Sequence, residues 1–297
     1  MDRHYEIFRR NFPFIVRENA EARRILQNPD NLFFDEYDRE ELIGTAVVHK
    51  NTILLLCVDE PYRKHGIGTR LLLAAERAVR ESGYQSVSVG VGESYLMPGI
   101  PMAEQPFPQQ LGEEQIYDSV SNSAYEFFTK RGYRHMWQGN CFDMRVNLAQ
   151  TEFDEFPDTI DGISYRFANS DDLPQIIACT DAGEQGFTRY YQNPALYEKD
   201  SASKVLIATS GHEVCGALMV NRETEAKDLG SVGCTVVAPP YRGRHIAVHL
   251  TQIGTRYLKS LGLKDGYLGY TYSGLDKLYG YAGYKICIYY AMAEKSL

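Results

Sequence analysis

An internal repeat constrains this 297-residue chain more than any other feature. The first half contains Val58-Asp59-Glu60-Pro61-Tyr62-Arg63-Lys64-His65-Gly66-Ile67-Gly68. The second contains Val237-Ala238-Pro239-Pro240-Tyr241-Arg242-Gly243-Arg244-His245-Ile246-Ala247, an offset of 240 − 61 = 179 from Pro61 to Pro240. Each copy follows an apolar run that reads as a buried strand, Thr52 to Val58 and Ser231 to Val237. Each precedes a helical pattern. One face carries Leu71, Leu72, Ala75, Ala78 and Val79, the other Ile246, Leu250, Ile253, Tyr257 and Leu261. Gly83 and Gly262, each 15 positions past its loop, are the expected left-handed helix stops.

The parallel continues downstream. A strand is expected at Ser86 to Val91 and at Gly266 to Thr271, then a short helix with a matching end. That end reads Ala124-Tyr125-Glu126-Phe127-Phe128-Thr129-Lys130-Arg131-Gly132-Tyr133 in the first half. In the second it reads Leu275-Asp276-Lys277-Leu278-Tyr279-Gly280-Tyr281-Ala282-Gly283-Tyr284. Cys141 to Val146 and Lys285 to Ala291 are expected to close their respective halves. One order of elements used twice implies an α/β fold with a mixed sheet in each half. The expected domains are 1–148 and 163–297, joined by an acidic linker at 149–162.

The halves also differ. The second opens with a strand, Ile163 to Phe167, and a helix from Asp171, whereas the first begins at a helix and lacks that strand. The first alone contains the stretch from Gly92 to Val120, with Pro98, Pro101, Pro106 and Pro108. It is too proline-rich for a helix or a central strand, and a loop of that length suggests a lid.

Bulk properties narrow the function. Hydrophobic residues at 44% and charged residues at 24% allow a packed core. A net charge of -8 argues against nucleic acid or an anionic membrane as partner, and suits an amine substrate. No apolar run has signal-peptide or bilayer-spanning length, so a cytoplasmic protein is expected. The six cysteines, Cys57, Cys141, Cys179, Cys215, Cys234 and Cys287, have no CxxC or zinc spacing, so reduced, buried thiols and no metal are expected.

The repeated loop has a chemical rationale. The first turn of a helix leaves N–H groups without partners in a region of positive potential, and phosphate fits there. Gly66 and Gly68 let the backbone approach an anion, while Arg63 and Lys64 add charge.

At these residues the chain resembles the GNAT (Gcn5-related) N-acetyltransferases, whose acetyl-CoA loop reads Arg/Gln-x-x-Gly-x-Gly/Ala after the fourth strand. Arg63-Lys64-His65-Gly66-Ile67-Gly68 matches in full. Arg242-Gly243-Arg244-His245-Ile246-Ala247 departs at His245, where a side chain in place of glycine would crowd a pyrophosphate and Gly243 would partly compensate. The resemblance covers nearly all of both halves. It implies two tandem GNAT-like domains, each a mixed, mostly antiparallel sheet flanked by helices.

The resemblance also implies roles. Both loops, including Thr69, would hold acetyl-CoA as cosubstrate, with strand backbone at Cys57, Val58, Val236 and Val237 beside its pantetheine arm. A strand N–H near Val58 or Val237 would stabilise the oxyanion. A family tyrosine four residues before the Gly-aromatic pair protonates the leaving thiolate. Here it is Tyr279, and its first-half counterpart is Phe128, which has no proton to give. The expected reaction moves an acetyl group to the amine of a small molecule or peptide. Glu223, Glu225 and Asp228 precede the fourth strand of the second half and read as surface charges rather than as the base. Two alternatives stay open: catalysis in the first half under the proline-rich stretch, and a non-catalytic acyl-CoA sensor or scaffold. The acceptor and the oligomeric state, a homo-oligomer included, stay open as well.

Overall fold

The computed structural model describes residues 2–297 except 17–18, 91–94, 104–122, 137–140, 154–156, 223–227 and 273. The chain forms two compact units. Unit 1 is Met1–Phe142 with Cys287–Leu297, and unit 2 is Asp143–Ile286.

Unit 1 begins with helices α1 (Arg3–Asn11) and α2 (Asn19–Leu26), followed by strands β1 (Asn31–Asp38), β2 (Glu41–His49) and β3 (Thr52–Val58). Helix α3 (Ile67–Glu81) and strand β4 (Ser86–Val89) complete the repeated segment. Strand β5 (Ile100–Ala103), helix α4 (Ser123–Thr129), β6 (Arg134–His135) and β7 (Cys141–Asn147) follow. Its sheet has the order β1-β2-β3-β4, then the chain's last strand, then β6. Only β3 and β4 pair in parallel. Buried Leu71, Leu72, Ala75 and Val79 seat α3 on this sheet, as its pattern predicts, and Glu76 is buried with them. The helix ends in a Schellman turn, with Gly83 at φ +88° and Tyr84 N–H bonded to Val79 O. Among the described residues no strand precedes α1.

Unit 2 contains β8 (Thr159–Ile160), β9 (Ile163–Phe167), α5 (Leu173–Gly183), α6 (Gln185–Tyr191), β10 (Ser203–Ser210), β11 (Glu213–Arg222) and β12 (Leu229–Val237). Then come α7 (Ile246–Ser260), β13 (Asp265–Tyr272) and α8 (Leu275–Gly280). Strand β14 (Lys285–Ala291) carries the chain back to unit 1, where β15 (Ala293–Ser296) ends it. Part of the expected linker is structured. Asp161 and Gly162, both with positive φ, turn β8 onto β9 as a two-residue hairpin.

Three expectations change. First, β7 does not close its own half. From Asp143 onward β7 belongs to unit 2, where it neighbours β13, with Tyr267 Oη donating to Asp143 and Arg145 paired with Asp265 at 2.7 Å. In unit 1 the final strand is β15, which the sequence pattern misses. It pairs antiparallel with β4, Ala293 opposite Val89 and Ser296 opposite Ser86. Alternation identifies a strand but not its neighbour, and two homologous sheets offer equivalent places. Second, α7 buries Ile246, Leu250, Gly254 and Leu258, with Thr251 and Thr255, while Leu261 is exposed. Gly254 sets this face, since a Cβ there would lie 2.6 Å from Leu218. Third, the proline-rich stretch contains a strand. Pro101 in β5 pairs with Tyr290 at an edge, where a missing N–H is tolerated. Pro106 and Pro108 lie outside the described residues.

Candidate active site

Each unit places a loop between a strand end and a helix start. In unit 1 a 3-10 turn, Glu60–Tyr62, leads through Arg63 and Lys64 to Gly66, the N-cap of α3. In unit 2 Pro239–Tyr241 leads to His245, the N-cap of α7. Both loops have two left-handed positions. These are Lys64 (φ +66°) and Gly66 (φ +81°) in one, and Gly243 (φ +80°) and His245 (φ +57°) in the other. Glycine thus occupies the second position of one loop and the first of the other, and the backbone course is the same. The departure at His245 changes an exposed side chain and leaves intact the backbone that presents the N–H groups.

Those N–H groups are available. Thr69 and Arg70 N–H bond back to Gly66 O, and His249 N–H bonds to His245 O. The N–H groups of Gly66, Ile67 and Gly68, and of His245, Ile246 and Ala247, have no acceptor among the described residues. Helix starts of this kind bind anions. Gly68 is not required by space, because a Cβ there would sit 3.5 Å from the Phe127 ring, an ordinary contact, and Ala247 takes the equivalent place. Lys64 and His65 are exposed beside the first loop, and Arg244 and His245 beside the second.

The two arginines also brace the loops. Arg63 Nε donates to Val58 O at 2.8 Å and Nη2 to Asn11 Oδ1 at 3.0 Å. Arg242 repeats this with Val237 O at 3.2 Å and Gly183 O at 2.9 Å. Each ties the strand end to the last residue of the unit's preceding helix, α1 or α5. Gly183 sits so close to β12 that a Cβ would lie 2.5 Å from Val236 Cγ1.

The strands open where the sequence expects cofactor. β3 pairs with β4 only at Thr52 and Ile53, and β12 with β13 only from Leu229 to Ser231. Beyond these points the sheet splits, leaving one side of Leu54–Val58 and of Val232–Val237 without a strand partner among the described residues. Asp59 N–H bonds to Ile43 O and Ala238 N–H to Cys215 O. Strand alternation therefore turns the N–H and C=O of Val58 and Val237 toward the split. Cys57 and Val236 face inward as buried core, and burial pushes the Cys57 thiol up to about 12.

The units differ at the position of Tyr279. Tyr279 on α8 is buried, and burial raises its pKa, partly offset by the adjoining Thr235 hydroxyl. Burial favours the protonated phenol, the state an acid needs. Thr235 lies in a β-bulge, where Cys234 and Thr235 oppose the single residue Leu218 and Cys234 adopts φ +49°. Tyr191 Oη donates to Cys234 O at 2.5 Å and supports the bulge. In unit 1 the counterpart of Tyr279 is Phe128, buried edge-on against Tyr133.

Residues 1–107 and 171–279 match the model of the acetyltransferase (GNAT) family. The chain belongs to the GNAT family. Its fold is a tandem one. It superposes on a tandem GNAT protein from the clavulanic acid biosynthesis pathway, with a TM-score of 0.71, 12% identity, and 99% of this chain and 94% of that one covered. It superposes equally on a GCN5-related glucosamine N-acetyltransferase region in a fungal multi-domain GH3 β-N-acetylglucosaminidase, with a TM-score of 0.71, 18% identity and 99% of this chain. This chain spans only 36% of that fungal protein. A GCN5-related N-acetyltransferase from Sphaerobacter thermophilus follows at a TM-score of 0.65, 18% identity, and 94% and 85% coverage. No curated protein matches the chain significantly.

Asp228 is exposed and paired with Lys264 at 2.6 Å, and Glu223 and Glu225 lie outside the described residues. Among the described residues no three His, Cys, Asp or Glu side chains form a metal group, and no helix is long and apolar enough to cross a membrane. Arg131, to which sequence reading gives no role, stacks on Phe127 (3.9 Å to the ring centroid) and donates to Thr69 Oγ1 at 2.8 Å, in the first turn of α3. The Lys-Arg-Gly-Tyr end of α4 was its only signal.

Proposed function

We propose that this GNAT protein transfers an acetyl group from acetyl-CoA to the amine of a small molecule or peptide, with the chemistry in unit 2. The observation that carries this reading is the buried Tyr279 phenol beside Thr235 of β12, in the unit whose loop keeps the backbone course of the full-motif loop. The uncapped N–H groups at His245, Ile246 and Ala247 fit a diphosphate. The backbone of Val236 and Val237 would lie along the pantetheine arm, and the Val237 N–H would stabilise the oxyanion.

In this reading the neutral amine attacks the thioester carbon. The C–S bond breaks with its electron pair on sulfur, and Tyr279 gives that sulfur its proton. Unit 1 offers Phe128 at this point, so its loop, with Lys64 and His65, serves binding rather than proton transfer. The exposed surface of a chain with net charge -8 favours a cationic acceptor. The test measures thiol release from acetyl-CoA over a panel of amines for the wild type and Tyr279→Phe. The expected result is turnover with at least one amine, reduced about 10²-fold or more in the variant. Full activity in Tyr279→Phe would place the chemistry elsewhere, and no release with any amine would favour a CoA-binding sensor.

A further inference from the structure

Two positions that meet in unit 2 change together between the repeats. Thr235 corresponds through the 179-residue offset to Leu56, and Tyr279 corresponds through the Gly-Tyr signature to Phe128. Unit 2 thus has a hydroxyl beside a phenol where unit 1 has two apolar side chains. Among the described residues the buried Thr235 Oγ1 has no partner at full hydrogen-bond geometry, and the group it adjoins is the Tyr279 phenol. Burying a hydroxyl without a partner is unfavourable, and valine would fill the same volume without that penalty. The bulge that carries Thr235 also holds Cys234 in a left-handed conformation that β-strand residues avoid. Strain and an orphan hydroxyl coincide at one point of β12, against the one phenol that the reaction would use.

We propose that Thr235 is a positioning residue for Tyr279, its hydroxyl donating to the phenol oxygen as that oxygen loses its proton. This rests on the reading that unit 2 carries the chemistry. The balance is simple. The amine nitrogen bonds to the acyl carbon, the C–S electron pair goes to sulfur, and sulfur takes the Tyr279 proton. The Thr235 O–H stabilises the phenolate until the proton released by the amine returns to it through solvent. A buried phenolate without a donor would be a poor product of proton transfer, since burial penalises the charged form. The donor therefore matters most after the proton has left, when Tyr279 carries charge.

The test uses the whole chain with Thr235→Val, Thr235→Ser and Tyr279→Phe. The first readout needs no turnover. In protein labelled with 13C at the tyrosine ring carbon bearing oxygen, the Tyr279 signal is assigned by its absence in Tyr279→Phe and followed against pH. Thr235→Val should move its titration upward by about half a unit or more, and Thr235→Ser should leave it in place. The second readout is kcat. Thr235→Val should lower it about tenfold with little change in KM for acetyl-CoA, and should add nothing in the Tyr279→Phe background. Thr235→Val should be at least as stable as the wild type, which separates its effect from misfolding. An unchanged Tyr279 titration, or equal losses in both backgrounds, overturns the inference. Full activity in Tyr279→Phe overturns the underlying reading instead.

Discussion

Lys295, on the last strand of the chain, donates from Nζ to Glu76 Oε2 at 2.7 Å, in the middle of α3 of unit 1. Their side chains are 24% and 7% exposed, so the carboxylate is buried and the ammonium mostly so. Lys295 also lies 5.7 Å from the Tyr133 ring, whose hydroxyl is itself pushed well up by burial, with Glu76 adding to the effect. In unit 2 Thr255 and Tyr284 stand where Glu76 and Tyr133 stand in unit 1, with an uncharged 3.4 Å hydrogen bond between them. The charged pair thus marks the point where a strand from the far end of the sequence enters the first sheet.

Lys295→Ala should therefore cost more than a surface lysine. It leaves Glu76 buried without its cation, and a loss of about 2–3 kcal/mol is expected, below the ~3–5 of a fully buried pair because Lys295 keeps some water. Urea unfolding followed at both units would measure it, and Glu76→Gln together with Lys295→Met should recover part of the loss. A loss under ~0.5 kcal/mol would show that the strand is held by backbone pairing alone.

Asp172 supplies a pH-dependent contribution. Arg166 bonds both of its oxygens, at 2.6 and 2.7 Å, and Asn169 N–H adds a third bond, which together hold its carboxyl below the usual carboxylate range. Because the folded pKa is depressed, the stabilisation is fully present above the unfolded value of ~3.9 and is lost as pH falls through the lower folded value. Asp172→Asn should cost about 1 kcal/mol at neutral pH, limited by the half-exposed arginine, and almost nothing near pH 2. Paired urea titrations at the two pH values would check this sign.

The loops allow a reciprocal pair of substitutions. Gly66→Ala should destabilise by about 1 kcal/mol, because φ +81° is costly for a residue with a Cβ although the space is open. His245→Gly should stabilise by up to about 1 kcal/mol, because it removes the same strain. Thermal unfolding would show opposite shifts. Equal shifts would mean that the two loops do not share one backbone course in solution.

Gly183→Ala should act on the site without touching its polar groups. The added Cβ would lie 2.5 Å from Val236 Cγ1 and 3.0 Å from Val237 O, so the end of β12 or α5 must move. A cost of about 1–3 kcal/mol is expected, with weaker CoA binding in unit 2. Calorimetric binding and unfolding of this one variant would test both.

Much of this was legible in the sequence, and the exceptions share a cause. The two loops, α3, α7 and the strands before them depend on local apolar runs, glycines and their spacing, which Thr52–Val58 and Gly83 display openly. The destinations of β7 and β15 were not legible. They depend on contacts such as Asp143 with Tyr267 and Lys295 with Glu76, separated by 124 and 219 positions. The buried face of α7 was misread because Gly254, silent in an apolar pattern, fixes how closely the helix approaches Leu218. At the site, Tyr279 was found through a family signature. Thr235 was missed because a bulge leaves no mark in strand alternation. Its one trace is the contrast with Leu56 in the other repeat. That Arg63 and Arg242 also brace the strand ends was not legible, because charge is visible in a sequence and orientation is not.

The proposed function depends on backbone N–H groups at the two loop-helix junctions holding the diphosphate of a CoA. Calorimetric titration of CoA into the wild type and into Gly68→Asp with Ala247→Asp tests it most directly. Saturable uptake by the wild type is expected, and none by the double variant, whose carboxylates would occupy those N–H groups. No uptake by the wild type, or equal uptake by both, would contradict it.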